Sequence, residues 1–525
     1  MIQRMILAWR RFAGAPWARD HRLGMGLILL GSALTVFVGV LGPSPVALDL
    51  GPRTGWLPPW YLPDSFPHPS EWLVVPALWI GITAGAIGLW ICNQALRTGW
   101  RPNVRKLFAT GLGLSIATAC VPPLTSADVL MYAAYGRLQT LGRDPYDITP
   151  ASIFREAYDP VLRWTERPWQ DTPSVYGPIA SFSQWLANVL GGPNMHDVVF
   201  WLQVFAVVPF IAIALVALHL AKGNPALQAR AVLFTVLNPI MIWSVVAGAH
   251  NEALCTVFAI VALLYVRKRP WLAGFFIGMA GAVKVSLVFY GLAMVWAYRR
   301  RLKALIQLGL GALVPLVVAY VVVAPKAMLA AGRNTGYISA GSWSPWLYTP
   351  FELAFGSGLA HSLISFLGLA GMIVIGWMLS RVLPWSPLPG LKKGVKAVND
   401  PLTVTVRTAL LLSAAWLLTS PYTLSWYDLI VWVPLGLLAT NRLDGVFLIR
   451  GLWLSLAYVT ARSVEFSPTM QNISFVIQSV ISSGVAWGAL IFVVWWWRDA
   501  GAELPSIASA KAAFPRFTRT PARTR

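Results

Sequence analysis

Apolar runs separated by short polar breaks fill this chain almost from end to end, and most are close to the roughly 20 residues that a helix needs to cross a bilayer. About fourteen such runs occur, the first near 24–42 and the last near 473–497. They predict an all-α polytopic membrane protein with about 14 transmembrane helices, since the ten-residue alternation of a membrane β-barrel is absent. Two apolar stretches, 176–192 and 347–358, fit poorly as crossings. They are expected to be interfacial or re-entrant helices on the outer face, buried in protein wherever they dip into the bilayer. No soluble stretch is long enough to stand as a domain, and no 20–50 residue repeat is evident.

Charge turns this pattern into a topology. Hydrophobic residues make up 57% of 525 positions and charged ones 12%, and mean hydropathy is +0.62. The net charge of +21 gathers in alternate breaks such as 97–106, 267–269, 299–303 and 381–407, and at both ends of the chain. By the positive-inside rule these lie in the cytoplasm. The charge therefore reports orientation in a multi-pass plasma-membrane protein, and no nucleic-acid partner is expected; the contacts expected are with membrane lipids. Both termini are expected inside, the N-terminal 1–23 as a retained segment without a cleavage-site pattern, and 511–525 as a basic tail on the inner leaflet. Four loops then fall outside, at 43–72, 123–197, 325–346 and 462–472. Tryptophans at run ends (Trp56, Trp60, Trp343, Trp346, Trp495, Trp496, Trp497) are expected to form an aromatic belt. Cys92, Cys120 and Cys255 have no paired spacing and suggest neither disulfide nor metal.

Chemistry-bearing residues collect at the outer ends. In 125–146, Asp128, Tyr132, Tyr135 and Gln139 share one helical face, with Val129, Leu130, Ala133 and Ala134 on or beside the opposite one. This reads as a helix lying along the membrane surface, with Asp128 either a catalytic carboxylate or a helix cap. His250, Asn251 and Glu252 fall at an outer hairpin. Lys284 sits in an apolar run whose two flanks are both basic, so the run must turn back near it; an ionisable residue there is a functional candidate. Arg333 is a second outer cation, and Tyr422, Trp426 and Tyr427 bring aromatics to another hairpin that either stack on a sugar or anchor helix ends. No metal-ligand spacing, glycine-rich phosphate loop or Ser/His/Asp arrangement occurs. A transporter or flippase of a lipid-linked glycan is the rival reading, though the paired repeats and broken midplane helices typical of transporters are not evident.

Asp128 just after a span, GRDPYD at 142–147, DTPSVYGPI at 171–179, AGAHNEA at 247–253 and AGAVKV at 280–285 together resemble the membrane-embedded GT-C glycosyltransferases. The nearest likeness is to the actinobacterial polyprenyl-phosphomannose-dependent α-1,6-mannosyltransferases of lipomannan synthesis. The resemblance spans about 107–440 and implies a GT-C fold with its active site on the outer face. It implies a polyprenyl phosphate mannose donor and a glycolipid acceptor, with another polyprenyl-phosphate sugar as the alternative. By residue, it implies Asp128 as catalytic base and Lys284, with Arg333, at the donor phosphate. Tyr132, Tyr135, Tyr176, His250, Asn251, Glu252, Tyr422, Trp426 and Tyr427 would contact sugar or acceptor. Many GT-C enzymes carry two adjacent acids in the first outer loop; here Ala127 precedes Asp128, so a metal-independent enzyme without a cofactor is expected. The implied layout is two accessory spans in 1–106, a catalytic core in 107–345, a transmembrane bundle in 346–497 and a basic tail in 498–525.

Overall fold

The computed structural model describes residues 15–501, apart from 64, 125, 168, 331–335, 463 and 465. The expected site residue Arg333, the first fourteen residues of the N-terminal segment and the tail from 502 onward lie outside the described residues. Among the described residues every regular element is helical, and the strand-like pairing is confined to one isolated bridge, Ala47 to Leu124.

Among the described residues eight helices are long and apolar enough to cross a membrane, from His21–Val40 to Pro468–Asp499. Helices also form at the other six expected positions, but these are short: Val104–Ala119, Glu252–Leu263, Pro270–Val283, Val285–Tyr298, Leu429–Leu437 and Leu443–Tyr458. Several start where the sequence sets them. Asn103, Asn194 and Asn224 cap helix starts with their side chains, and Pro225, Pro270 and Pro401 occupy first turns, where a missing N–H costs nothing. The two stretches that fit poorly as crossings are the helices Pro178–Gly191 and Pro345–Phe355.

Two expectations change. The helix Asp128–Thr140 does not lie on a surface: nine of its residues, among them Val129, Tyr132, Ala133, Tyr135 and Leu138, are buried, because Pro178–Gly191 and Met195–Leu220 pack over it. Gly136 permits that contact, since a Cβ there would strike the backbone of Gln184. Trp343, Trp496 and Trp497 are buried too, so they are packing residues and not belt anchors; Trp343 Nε1 donates to the Thr419 carbonyl at 2.8 Å. Trp56, by contrast, is 91% exposed.

Polar side chains inside the bundle are tied between helices. Arg230 donates to Asp444 at 2.6 Å, to Asn93 at 3.0 Å and to the carbonyls of Leu435 and Leu438, with its guanidinium over the Phe234 ring. Arg267 pairs with Asp400, and Arg450 with Asp428. Helices that share an apolar surrounding gain little hydrophobic drive to associate, so such links set which helix meets which. Arg230→Met should cost about 3–5 kcal/mol by stranding the Asp444 charge. Thermal unfolding in detergent should show a lower melting temperature for the single variant and substantial recovery in Arg230→Met/Asp444→Leu.

Candidate active site

Asp128 is the first residue of its helix, and Ala127 is the N-cap, without a side-chain cap. The carboxylate is therefore not consumed in capping. Its own N–H donates to Ser126 Oγ at 3.1 Å, and the carboxylate reaches toward His250, with Oδ2 3.6 Å from Nδ1. Burial and then the nearby Glu252 carboxylate raise the Asp128 pKa to about 6, against the lowering pull of Lys284 and Ser126.

His250 comes from a turn that the backbone forces. The π-helical segment Ile242–Ala247 leads into Gly248 and Ala249, and Ala249 has φ 51°, a left-handed conformation unusual for a residue with a Cβ. Leu124 N–H donates to the Ala247 carbonyl at 2.8 Å, tying this turn to the chain just before Asp128. The His250 ring is fully buried and stacked on Trp426, with centroids 3.6 Å apart and planes at 16°. Burial, and then the Lys284 charge, hold its pKa well below the ordinary value, so the imidazole is neutral.

Glu252 opens the next helix, Glu252–Leu263, with its side chain only 3% exposed. It accepts from Lys284 Nζ. Lys284 has extended backbone between Pro270–Val283 and the helical continuation from Val285, so the run does turn at this residue, as expected. Burial opposes the Lys284 ammonium, but Glu252 outweighs it and the pKa lies above the usual value. The ammonium also sits 4.2 Å from the Tyr427 ring centroid.

The two loop motifs meet over this pair. Gly177 N–H donates to the Val283 carbonyl at 3.1 Å, and a Cβ at Gly177 would strike the backbone of Ala282, so only glycine lets DTPSVYGPI settle on AGAVKV. Tyr146 of GRDPYD donates to the Tyr176 carbonyl at 3.1 Å, and Tyr176 meets Tyr132 edge-on at 5.0 Å between centroids. Tyr135 also packs near Tyr176, and its hydroxyl donates to the Thr172 carbonyl at 2.9 Å and holds the loop. Tyr422 and Tyr427 pack together at 6.4 Å.

The structure thus brings together Asp128, Tyr132, Tyr176, His250, Glu252, Lys284, Trp426 and Tyr427, with Asn251 and Tyr422 at the margins. Sequence reading passed over Arg450, which donates to Asp428 and Thr423 and so holds both ends of the segment bearing Trp426 and Tyr427. A lone arginine inside an apolar run was its signal. It also passed over Tyr458, which meets Trp426 at 5.3 Å and lies in an unremarkable apolar run. Among the described residues no group of three or more His, Cys, Asp or Glu side chains is arranged to hold a metal ion.

The ionisable members of this cluster, Asp128, His250, Glu252 and Lys284, fall within residues 26–300, which match the family described as Alpha-(1->6)-mannopyranosyltransferase, N-terminal domain, while Tyr422, Trp426 and Tyr427 lie beyond it. The chain belongs to this family. It is therefore a glycosyltransferase of the membrane-embedded GT-C class, as its motifs suggested, and the transporter reading gives way. The family member named Probable alpha-(1->6)-mannopyranosyltransferase in Mycolicibacterium smegmatis is 24% identical over 455 residues, 77% of each chain. Alpha-(1->6)-mannopyranosyltransferase A of Corynebacterium glutamicum is 26% identical over 227 residues, 40% of this chain and 46% of that one. Alpha-(1->6)-mannopyranosyltransferase B of the same organism is 25% identical over 267 residues, 46% of this chain and 44% of that one. No solved structure matches the chain.

The raised Asp128 pKa has a measurable consequence for stability. The folded protein holds this proton more tightly than the unfolded chain, whose carboxyl titrates near the usual value of about 4, so the carboxylate subtracts stability as pH rises from about 4 to 6. Asp128→Asn should melt at a higher temperature than the parent protein at pH 8, and the gap should close near pH 4.

Proposed function

We propose that this enzyme transfers mannose from polyprenyl phosphate mannose to a lipid-linked mannan acceptor, forming an α-1,6 linkage on the outer face of the plasma membrane. The observation that carries the reading is a carboxylate of raised pKa, Asp128, set in one buried cluster with a lysine, Lys284, that is held by Glu252. The relatives' names supply the sugar and the linkage. The alternation of charge along the chain supports an outer active site, cytoplasmic termini and fourteen crossings, with the six short helices sheltered by their neighbours.

The reaction is a single inverting displacement. Asp128 takes the proton of the acceptor hydroxyl while that oxygen bonds to the anomeric carbon of mannose. The bond from that carbon to the phosphate oxygen breaks on the opposite face, and its electron pair leaves with polyprenyl phosphate. Lys284 stabilises the departing charge, joined by Arg333. Glu252 keeps the ammonium oriented and charged in its buried position. Neutral His250, pressed against Trp426, stands 3.6 Å from the Asp128 carboxylate without adding a second positive charge beside the base. Tyr132, Tyr176, Tyr422 and Tyr427 line the sugar, and Tyr135 supports them from behind. Residues 107–345 act as the catalytic core, and no metal or cofactor takes part.

Radiolabelled mannose transfer from synthetic polyprenyl phosphate mannose, by the detergent-purified protein, tests this. Asp128→Asn should lower turnover by about 10² to 10⁴ while donor binding persists. Retained turnover would remove Asp128 from the mechanism, and absence of any transfer by the parent protein would overturn the donor. With the base in place, turnover should fall as pH drops below about 6, because the raised carboxyl then protonates. Addition of EDTA should leave the rate unchanged.

A further inference from the structure

Several tyrosines fasten this protein through their hydroxyls. Tyr135, Tyr146, Tyr290 and Tyr320 each donate to a backbone carbonyl and so fix a loop or a helix. Tyr422 and Tyr427 do not: among the described residues no protein group bonds either hydroxyl, and the same holds for Tyr337. These three rings stand in series. From Tyr427, which lies 4.2 Å from the Lys284 ammonium, ring centroids step 6.4 Å to Tyr422, 6.0 Å to Tyr337 and a further 5.8 Å to Trp169. The series leads outward, since Tyr427 and Tyr422 are partly buried whereas Tyr337 is 39% exposed.

Trp169 and Tyr337 have no part in the mechanism above, yet both are held in place, each by its own loop. The Thr172 N–H donates to the Trp169 carbonyl at 2.9 Å and closes the turn Trp169–Asp171, and the Tyr135 hydroxyl holds Thr172. Two residues after Tyr337, Ser339 donates its N–H to the Pro421 carbonyl at 3.0 Å and exchanges hydrogen bonds of 2.9 and 3.1 Å with the Thr423 backbone, which ties that loop to the segment bearing Tyr422. Fixed rings with an apolar body and an unspent polar edge suit a sugar chain, whose C–H faces lie on the rings while its hydroxyls meet the edges. Beside Trp169, Gln170 and the exposed pair Arg155–Asp171 add donors and acceptors. The series of rings reaches farther than one pyranose. The donor brings a single sugar ahead of its phosphate, so the substrate that extends to the outer rings is the acceptor, whose sugars continue away from the attacking hydroxyl.

We infer that Trp169 and Tyr337 form an outer subsite that holds a sugar of the acceptor chain beyond the one being mannosylated, so that the enzyme favours longer acceptors; this rests on the transferase function proposed above. Octyl glycosides of one and of four α-1,6-linked mannoses are suitable probes. Equilibrium binding to the full-length protein in detergent should be tighter for the four-sugar probe. Trp169→Leu or Tyr337→Leu should weaken that binding by about tenfold and leave the one-sugar probe unchanged. In transfer assays the KM for the four-sugar acceptor should rise by a similar factor, while kcat and the KM for donor stay put. The two substitutions lie in different loops, so each guards against a folding defect in the other. A loss shared equally by both probes would mean that the rings merely pack one loop on another, and would overturn the subsite. Equal affinity for the two probes in the parent protein, no binding of either, or a length preference that survives in both variants would overturn it as well. A length preference that both variants abolish, in a protein that transfers no mannose from the polyprenyl donor, would uphold the subsite and defeat the proposed donor instead.

Discussion

Everything at this site hangs on a nearly inaccessible carboxylate and the partly buried ammonium that meets it. Glu252 is nearly inaccessible, and its charge can persist there only beside a partner, because an isolated buried carboxylate costs several kcal/mol. Lys284 meets that need, and in doing so it joins two parts of the chain that run through different helices. The joint explains the local geometry on both sides. Lys284 interrupts a helix in order to present its side chain, and the turn before Glu252 accepts a left-handed alanine so that His250 and Glu252 both face inward. Neither distortion has a reason in local sequence preference, and both lie beside the residues whose charges meet.

The rest of the site is layered on that pair. One loop seats Gly177 on the backbone next to Lys284, which carries Tyr176 to Tyr132. Another segment lays Trp426 on His250 and Tyr427 on the Lys284 ammonium. The second layer is itself anchored in the bundle by Arg450, whose bonds to Asp428 and Thr423 bracket the aromatic pair. A charge well inside an apolar helix thus reaches the candidate site through two contacts. A related device, an arginine shared between a carboxylate and other oxygen acceptors, recurs at Arg230, where it locks helices. Removing a partner in either place exposes a buried charge, but only at Arg450 would the disturbance reach the aromatics that line the site.

The sequence by itself determined the helical, membrane-spanning character of the protein, because hydrocarbon admits few backbone solutions and runs of that length are readable directly. It also marked Asp128, His250, Glu252 and Lys284, since a polar residue that interrupts an apolar chain needs a purpose. The tertiary structure alone decided which of the marked residues act together. Helical periodicity places Asp128, Tyr132 and Tyr135 on one face but is silent about what covers it. Packing turned Tyr132 toward Tyr176 and gave Tyr135 to a loop carbonyl, and it buried most of the helix where a surface position was expected. Tyr337 and Arg450 show the same limit from the other side. A tyrosine in an outer loop and one arginine in a span have no legible partner in the sequence. Whether such a group is satisfied, orphaned or paired depends on contacts between residues far apart in the chain, and those contacts exist only once the helices have packed.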